Sequence, residues 1–598
     1  MDGPLQRRHF LAGLGAAGSA ALAGCTERLW SRAERTAPDR VSLQVKSVPT
    51  DDDQVAAMIA NRLTENLRAA GIDTDQTAID EAEFNREVLI DRDYDIFVMR
   101  HPGIEEPDSI RSLLHSDYVG EQGWQNPFSL SDPTVDDYLE TQLQLSDDER
   151  RETFDSLFEY LVEENTAPFT TVAHHDHIGA SRATLDLVTL PIDTIDYLNA
   201  LGSVTDQFVT DDELEDRDPP SLDVGFFGQQ LVSRLNPLAV DLTSIRSVFD
   251  LLYDPLYRRI DGEYVPWLAQ TARWQEENGH LEALVTLRED IRWHDGEPVD
   301  AADLAFTTRF LSDTSLGEGE SPIPAPRFRG RQSLIEGVSI ESDRTVSFSF
   351  ESSSQEVAQW AFTLPILPEH IWRPRAEVIG EHRTDALAWD NPEPVGSGLF
   401  RYDDAADNEF LHLRLFDEHR LLSTEAPELF DQLSFDPDLL ETEDGYDGRL
   451  NYEISPNVGS AIDALTEGDI DLIASEIPVD SLERIDESES IRPLTRSTGT
   501  FYMIGYNLRH PTLTNRRFRG AISRLIDRDD VVDTFFEGYA TVAETHNALV
   551  GIPDQQWETT RFPQNHDFPG EDGTVDADQA REMFEDAGYS YVEGELVE

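Results

Sequence analysis

Acidic residues outnumber basic ones in this chain by 119 to 47, a formal charge of −72, yet 39% of its 598 residues are hydrophobic and 9 are tryptophan. Blocks of like charge ordinarily mark disorder. Here the acids are interleaved with enough apolar material for a core, so the carboxylates must coat a folded surface. Self-repulsion on that scale strains a compact protein in dilute buffer. In about 1 M salt the Debye length falls to ~3 Å and most of the repulsion is screened. The composition therefore fits a protein of brine, as in an extreme halophile. It excludes nucleic acid as a partner, because no basic stripe interrupts the acid. Lys46 is the single lysine and Cys25 the single cysteine, so no internal disulfide forms.

The N-terminus points outside the cell. Arg7-Arg8 precede an apolar stretch, Phe10 to Ala23, that is shorter than the ~20 residues a membrane span needs. This is the pattern of a twin-arginine export signal. Leu22-Ala23-Gly24-Cys25 resembles a lipobox, which implies lipid attachment at Cys25 and an anchor on the outer face of the cell membrane. The alternative is a stray thiol inside an ordinary cleaved signal.

Along the rest of the chain, Val41 to Val48 alternates as a strand. Asp51 to Ala70 carries Val55, Ile59, Leu63 and Leu67 on one helical face, with Gly71 as the cap. Ile96 to Met99 reads as a buried parallel strand. Strand, helix, strand implies an α/β layer. Ser146 to Glu163 predicts another helix, and Thr210 to Pro220 is an acidic linker ending in paired prolines. Asp300 starts a helix with Asp303 in its first turn, where a carboxylate suits the dipole.

Thr286-Leu287-Arg288, Trp293-His294-Asp295-Gly296, Pro298-Val299 and Ala302-Asp303 resemble the signature of the family 5 extracellular solute-binding proteins, receptors of ABC importers for peptides, nickel and oligosaccharides. Asn236-Pro237-Leu238 with Leu252 to Leu256 resembles the opening strand and helix of that family. Pro394 to Phe400 resembles its Gly-(Ser/Thr)-Gly-Pro-Tyr element, with Leu399 and Phe400 departing from it. Gly468 to Asp471 and the stretch Tyr506 to Arg528 match later segments in order. Segments between Val41 and Ser116 resemble the family's C-terminal portion although they stand first, which implies a circular permutation in which residues 41–200 follow residues 225–598 in the ancestral order, with Glu598 folded close to Val41. The alternative is a shortened family member fused to an unrelated N-terminal domain.

The resemblance implies an α/β, two-lobed periplasmic-binding-protein-like clamshell (type II) in circularly permuted order. Its expected divisions are a signal over 1–25, a tether over 26–40, and part of lobe II over 41–125. Residues 126–205 return to lobe I, 206–223 form the linker, 224–495 lobe I and 496–598 the rest of lobe II. It also implies a receptor without catalysis or cofactor, passing a peptide or oligosaccharide to a membrane permease. In peptide-binding relatives an aspartate pairs with the ligand amine. The matching loop here, Arg100 to Asp108, has Gly103 near that position, leaving Arg100, His101, Glu105 and Glu106 as ligand candidates. Asp241, Thr243 and Ser244 follow the opening strand, where the family places a cleft-facing loop.

Trp267, Trp274 and Trp293 are expected in the core, while Trp360 and Trp372 stay open between core and cleft. His174-His175-Asp176-His177 invites a metal reading, but neighbours on a strand point to opposite sides, so a strand end is expected instead. Two other functions remain open. A secreted hydrolase lacks a Gly-x-Ser-x-Gly elbow or a His-Glu-x-x-His helix here, yet dispersed acids leave room for a glycosidase pair. A sensory receptor of the same fold is the third.

Overall fold

The structure, a computed structural model, describes residues 40–104, 106–163, 166–208, 220–227, 234–239, 246–260, 262–277, 279–380, 382–422, 440–442, 445–544, 546, 549 and 567–597. The expectations for Arg7, Arg8, Cys25, Glu105, Asp241, Thr243 and Ser244 lie outside these residues, as does most of the linker.

The first strands are β1 (Ser42–Ser47), β2 (Asp73–Ala78), β3 (Ile96–His101), β4 (Phe169–His175), β5 (His177–Arg182) and β6 (Ser221–Phe227). Four antiparallel strands follow: β7 (Ala269–Glu277), β8 (His280–Leu287), β9 (Ile335–Ser342) and β10 (Thr345–Glu351). Then come β11 (Phe400–Ala406), β12 (Phe410–Leu415), β13 (Arg449–Ser455), β14 (Leu472–Ile473), β15 (Ile491–Arg496), β16 (Phe501–Tyr506) and β17 (Ala540–Val542). They form a six-stranded sheet, β2-β1-β3-β16-β4-β17, a seven-stranded sheet, β11-β12-β13-β6-β14-β5-β15, and a four-stranded sheet, β9-β10-β8-β7.

Two large apolar cores follow from this topology. One packs residues from Val41 to Ala173 together with Phe501 to Leu596, and the other packs Leu185 to Leu494. The protein is thus a two-lobed α/β fold. Lobe II holds the six-stranded sheet and lobe I the other two. The helix α1 (Gln54–Ala69) buries Ile59, Leu63 and Leu67 against lobe II and is capped by Asp53, which accepts from the Ala56 N–H at 2.9 Å. Parallel pairing of β1 with β2 and β3 needs a covered sheet, which explains why Ile96, Phe97 and Val98 are all buried.

The return to lobe I comes later than residue 126. The helices α2 (Ser109–Leu114), α3 (Pro133–Thr141) and α4 (Asp147–Glu163) bury Ile110, Val135, Leu139, Phe154, Leu157 and Leu161 in the lobe II core, and β4 adds Phe169 and Val172. An amphipathic stripe specifies a helix but not the sheet it will cover, so the sequence placed the division too early. The change of lobe falls at Asp176, between β4 and β5.

The two ends of the described chain meet in lobe II. Val41 N–H donates to Leu596 O at 2.9 Å, Leu596 N–H to Gly71 O at 2.8 Å, and Tyr591 Oη to Ala70 O at 2.8 Å. Asn66 bonds Leu525 O at 2.8 Å and Gly573 O at 3.1 Å. Lys46 is buried against Glu87 at 2.7 Å in the same lobe, whose core Tyr589 flanks.

The recognisable motifs meet inside lobe I. Asp300 caps the helix α5 (Ala301–Ser312) in a capping box with Asp303, whose carboxylate also accepts from Trp293 Nε1 at 3.3 Å. His294 bridges to the Gly396–Gly398 turn, with Nε2 at 2.9 Å from Gly398 O and Gly396 N–H donating to Nδ1 at 3.2 Å. That turn lies flat on the end of the helix Arg246–Leu252: a Cβ on Gly396 would sit 1.9 Å from Leu252 O. These segments hold the lobe together. Trp267, Trp293 and Trp372 are fully buried there and Trp360 is 6% exposed, so Trp360 and Trp372 belong to the core rather than a cleft.

Candidate functional site

Between the lobes, the described chain crosses twice, side by side. Asp176 links β4 to β5, and residues 497–500 link β15 to β16. The crossings bond each other: His175 N–H donates to Thr500 O at 3.2 Å, and Thr500 Oγ1 to His175 O at 2.8 Å. Two parallel connections of this kind make a hinge.

Ligands of α/β sheets bind outside the carboxyl ends of parallel strands. In lobe II those ends carry Asp53, beyond β1, and Arg100, on β3; in lobe I, Glu476 follows β14. All three converge on the hinge. Arg100 Nη1 lies 3.4 Å from Glu476 Oε2, and its Nε 4.0 Å from Asp53 Oδ2. Tyr502 Oη donates to Asp53 at 3.1 Å. The Arg100 and Glu476 side chains stay 32% and 23% exposed although both lobes surround them, as expected of groups lining a crevice.

The histidine-rich segment closes the arrangement. His175 Nε2 lies 2.9 Å from Glu476 Oε1, His177 Nδ1 3.3 Å from Glu476 Oε2, and Ile178 N–H donates to Oε1 at 3.1 Å. Burial would raise the Glu476 carboxyl, but the His175 hydrogen bond and the His177 and Arg100 charges outweigh it and hold it below the ordinary range. Burial pushes His177 below its ordinary value despite Glu476. His174 points the other way, against the Phe501 ring. Among the described residues no group of three His, Cys, Asp or Glu side chains is placed to hold a metal ion.

His101 and Glu106, expected at the ligand, are instead spent on the fold. The His101 ring is buried between Trp124 and Phe501, at 4.3 and 4.7 Å, and burial lowers its pKa to about 3, so it is neutral. Strand alternation explains this: with Arg100 at the crevice, its neighbour faces the core. Glu106 is buried against Arg150 at 2.7 Å. Gly103 carries the intervening loop over the hinge at φ +104°, where a Cβ would meet Thr498 O at 2.5 Å.

A second contact joins the lobes away from the hinge. Arg329 grips Glu121 through two bonds, of 2.8 and 3.1 Å. Arg111 reaches Gly330 O at 3.2 Å, Gln125 reaches Pro326 O at 2.9 Å, and Arg150 extends past Glu106 to Glu356 at 3.1 Å.

Asp53, Glu476 and Tyr502 were not singled out from sequence. Position after a parallel strand was the available signal, and it is weak among 119 acids.

The profile of the bacterial extracellular solute-binding proteins, family 5 Middle, matches residues 263–598, more than half of the chain. The chain belongs to this family. Proteins related to it include the oligopeptide-binding protein AppA of Bacillus subtilis, 21% identical over 332 residues, which are 54% of this chain and 51% of that protein. The peptidoglycan-binding protein YepA of Agrobacterium fabrum is 26% identical over 215 residues, 30% of this chain and 33% of its own. The chain spans about half the length of the curated relatives it matches first. Among solved structures, AppA of Bacillus subtilis in complex with a nonapeptide aligns with TM-score 0.41 and 17% identity, over 63% of this chain and 66% of that one. NikZ from Campylobacter jejuni in complex with Ni(L-His) aligns equally, at 0.41 and 17%, over 62% and 66%. Among the described residues, no helix is long and apolar enough to cross a membrane.

Proposed function

We propose that this family 5 protein is the extracellular receptor of an ABC importer, capturing a small polar solute between its lobes and delivering it to the membrane permease. A peptide is the first choice of solute and an oligosaccharide the second. The observation that carries the reading is the meeting of charged groups from both lobes, Arg100 and Asp53 with Glu476, at a two-stranded hinge. A solute that bonds both lobes stabilises their closed arrangement by the difference in its affinity for closed and open forms. Such a site needs no chemistry of its own, and we assign the protein no catalysis and no cofactor. Relatives named for peptide binding support the choice of solute.

Arg100 is the ligand residue on which the proposal rests most, through its half-buried guanidinium at the crevice. Glu105, Asp241, Thr243 and Ser244 remain candidates on resemblance alone. The export signal at Arg7-Arg8 and lipid attachment at Cys25 are part of the same reading, with the acidic surface serving a protein in brine. The circular permutation is supported by the bonds that tie Val41 and Gly71 to Leu596 within one lobe.

A thermal-shift panel of di- to oligopeptides, oligosaccharides and nickel in high salt tests this. A bound solute at about 100 times its Kd adds roughly 2.7 kcal/mol of stability, so one class must raise the melting temperature saturably, and Arg100→Ala must weaken that rise. No shift with any class, or turnover of a peptide or glycan, would overturn the receptor reading.

A further inference from the structure

We propose that Glu476 is the hinge clamp of this protein, a single carboxylate that ties the end of β4, the start of β5 and the end of β3 together and so governs movement between the lobes. Three donors from three strands converge on it. His175 and Ile178 address Oε1 at 2.9 and 3.1 Å, and Arg100 addresses Oε2 at 3.4 Å, while the His177 ring stands beside Oε2 and bonds Ala474 O through Nε2 at 2.8 Å. Glu476 itself is fixed to lobe I, because the next residue, Ile477, donates its N–H to Ile178 O at 2.8 Å. His175 and Arg100 belong to lobe II. A rotation about Asp176 must therefore stretch the bonds from His175 and Arg100 to Glu476, while the one from Ile178 moves with lobe I.

Two further details favour a clamp over a chance contact. His175 Nδ1 is buried with no hydrogen-bond partner among the described residues, so Glu476 is the polar anchor of that ring. Behind Arg100 stand Asp53 and Tyr502, the latter bonded to Asp53 at 3.1 Å, which hold the guanidinium toward lobe I. Bonds to an ionised carboxylate are stronger than neutral ones, and two of the three that Glu476 accepts come from the side chains of Arg100 and His175.

The clamp's part in solute capture rests on the receptor reading, but its existence is measurable without any solute. Hydrogen–deuterium exchange of the full chain in high salt is the test, on wild type, Glu476→Gln and His175→Gln. The expected result is a rise of about tenfold or more in amide exchange across residues 174–180 and 497–502 in both variants, as local opening becomes easier, with β1 and β6 at wild-type rates. Wild-type rates at the two crossings in both variants would overturn the clamp, and so would an equal rise throughout both lobes. A protein that binds no solute would leave this outcome unchanged, which keeps the two proposals separable.

Discussion

Replacing Arg150 by methionine isolates what the loop after the crevice is for. In the folded protein Glu106 and Arg150 are 4% and 5% exposed and lie 2.7 Å apart, and Glu106 also accepts from the Asp108 N–H. Removing one partner of a buried ion pair leaves an uncompensated charge and costs about 3–5 kcal/mol. For a lobe of this size each kcal/mol is worth roughly 2–4 °C, so the melting temperature at pH 7 should fall by roughly 10 °C. The pH dependence carries the sign. Burial raises the Glu106 carboxyl above its ordinary 4.5 even with Arg150 present, and Arg150→Met raises it further. A carboxyl raised on folding favours the native state below its unfolded value and disfavours it as pH climbs through the folded one. The loss in Arg150→Met should therefore be largest at neutral pH and shrink toward pH 4.5, and adding Glu106→Gln should restore most of it. Calorimetric scans across pH make the measurement. A loss under about 2 °C at pH 7, or one that does not change with pH, would refute the argument that Glu106 is a structural partner.

Three smaller tests follow from the same reasoning. Gly103→Ala places a side chain at φ +104° and 2.5 Å from Thr498 O; the left-handed strain alone is about 1–2 kcal/mol, and chemical denaturation should show at least that loss. Trp372→Ala empties a fully buried site packed on Phe310 and Trp389, at about 3–5 kcal/mol, and calorimetry should show the loss with any solute affinity unchanged. Asp300→Ala removes the cap of α5 and should cost about 1 kcal/mol in the same assay, with no effect on the hinge.

Much of the fold was legible because local patterns suffice for local elements. The stripe of Ile59, Leu63 and Leu67 became a buried helix face. The Asp300–Asp303 cap formed as its spacing implied. The hinge was not legible. His174-His175-Asp176-His177 reads as a strand end, and nothing in it says that the chain resumes one residue later as a strand of another sheet. The site was legible only in part for a related reason. Arg100 stands out as a base at a strand end, whereas Asp53 and Glu476 are two acids among 119 and gain meaning only where distant strands bring them together. The motifs that reveal the family, around Trp293, His294 and Gly396, turned out to pack against one another in lobe I rather than at the crevice.

Native mass spectrometry of the protein, purified and then offered the peptide and oligosaccharide panel, addresses the central claim most directly. A receptor must show one small molecule held per chain, recovered chemically unchanged when the lobes are unfolded. A protein that carries none of them, or returns them cleaved, is not the solute-capturing clamshell described above.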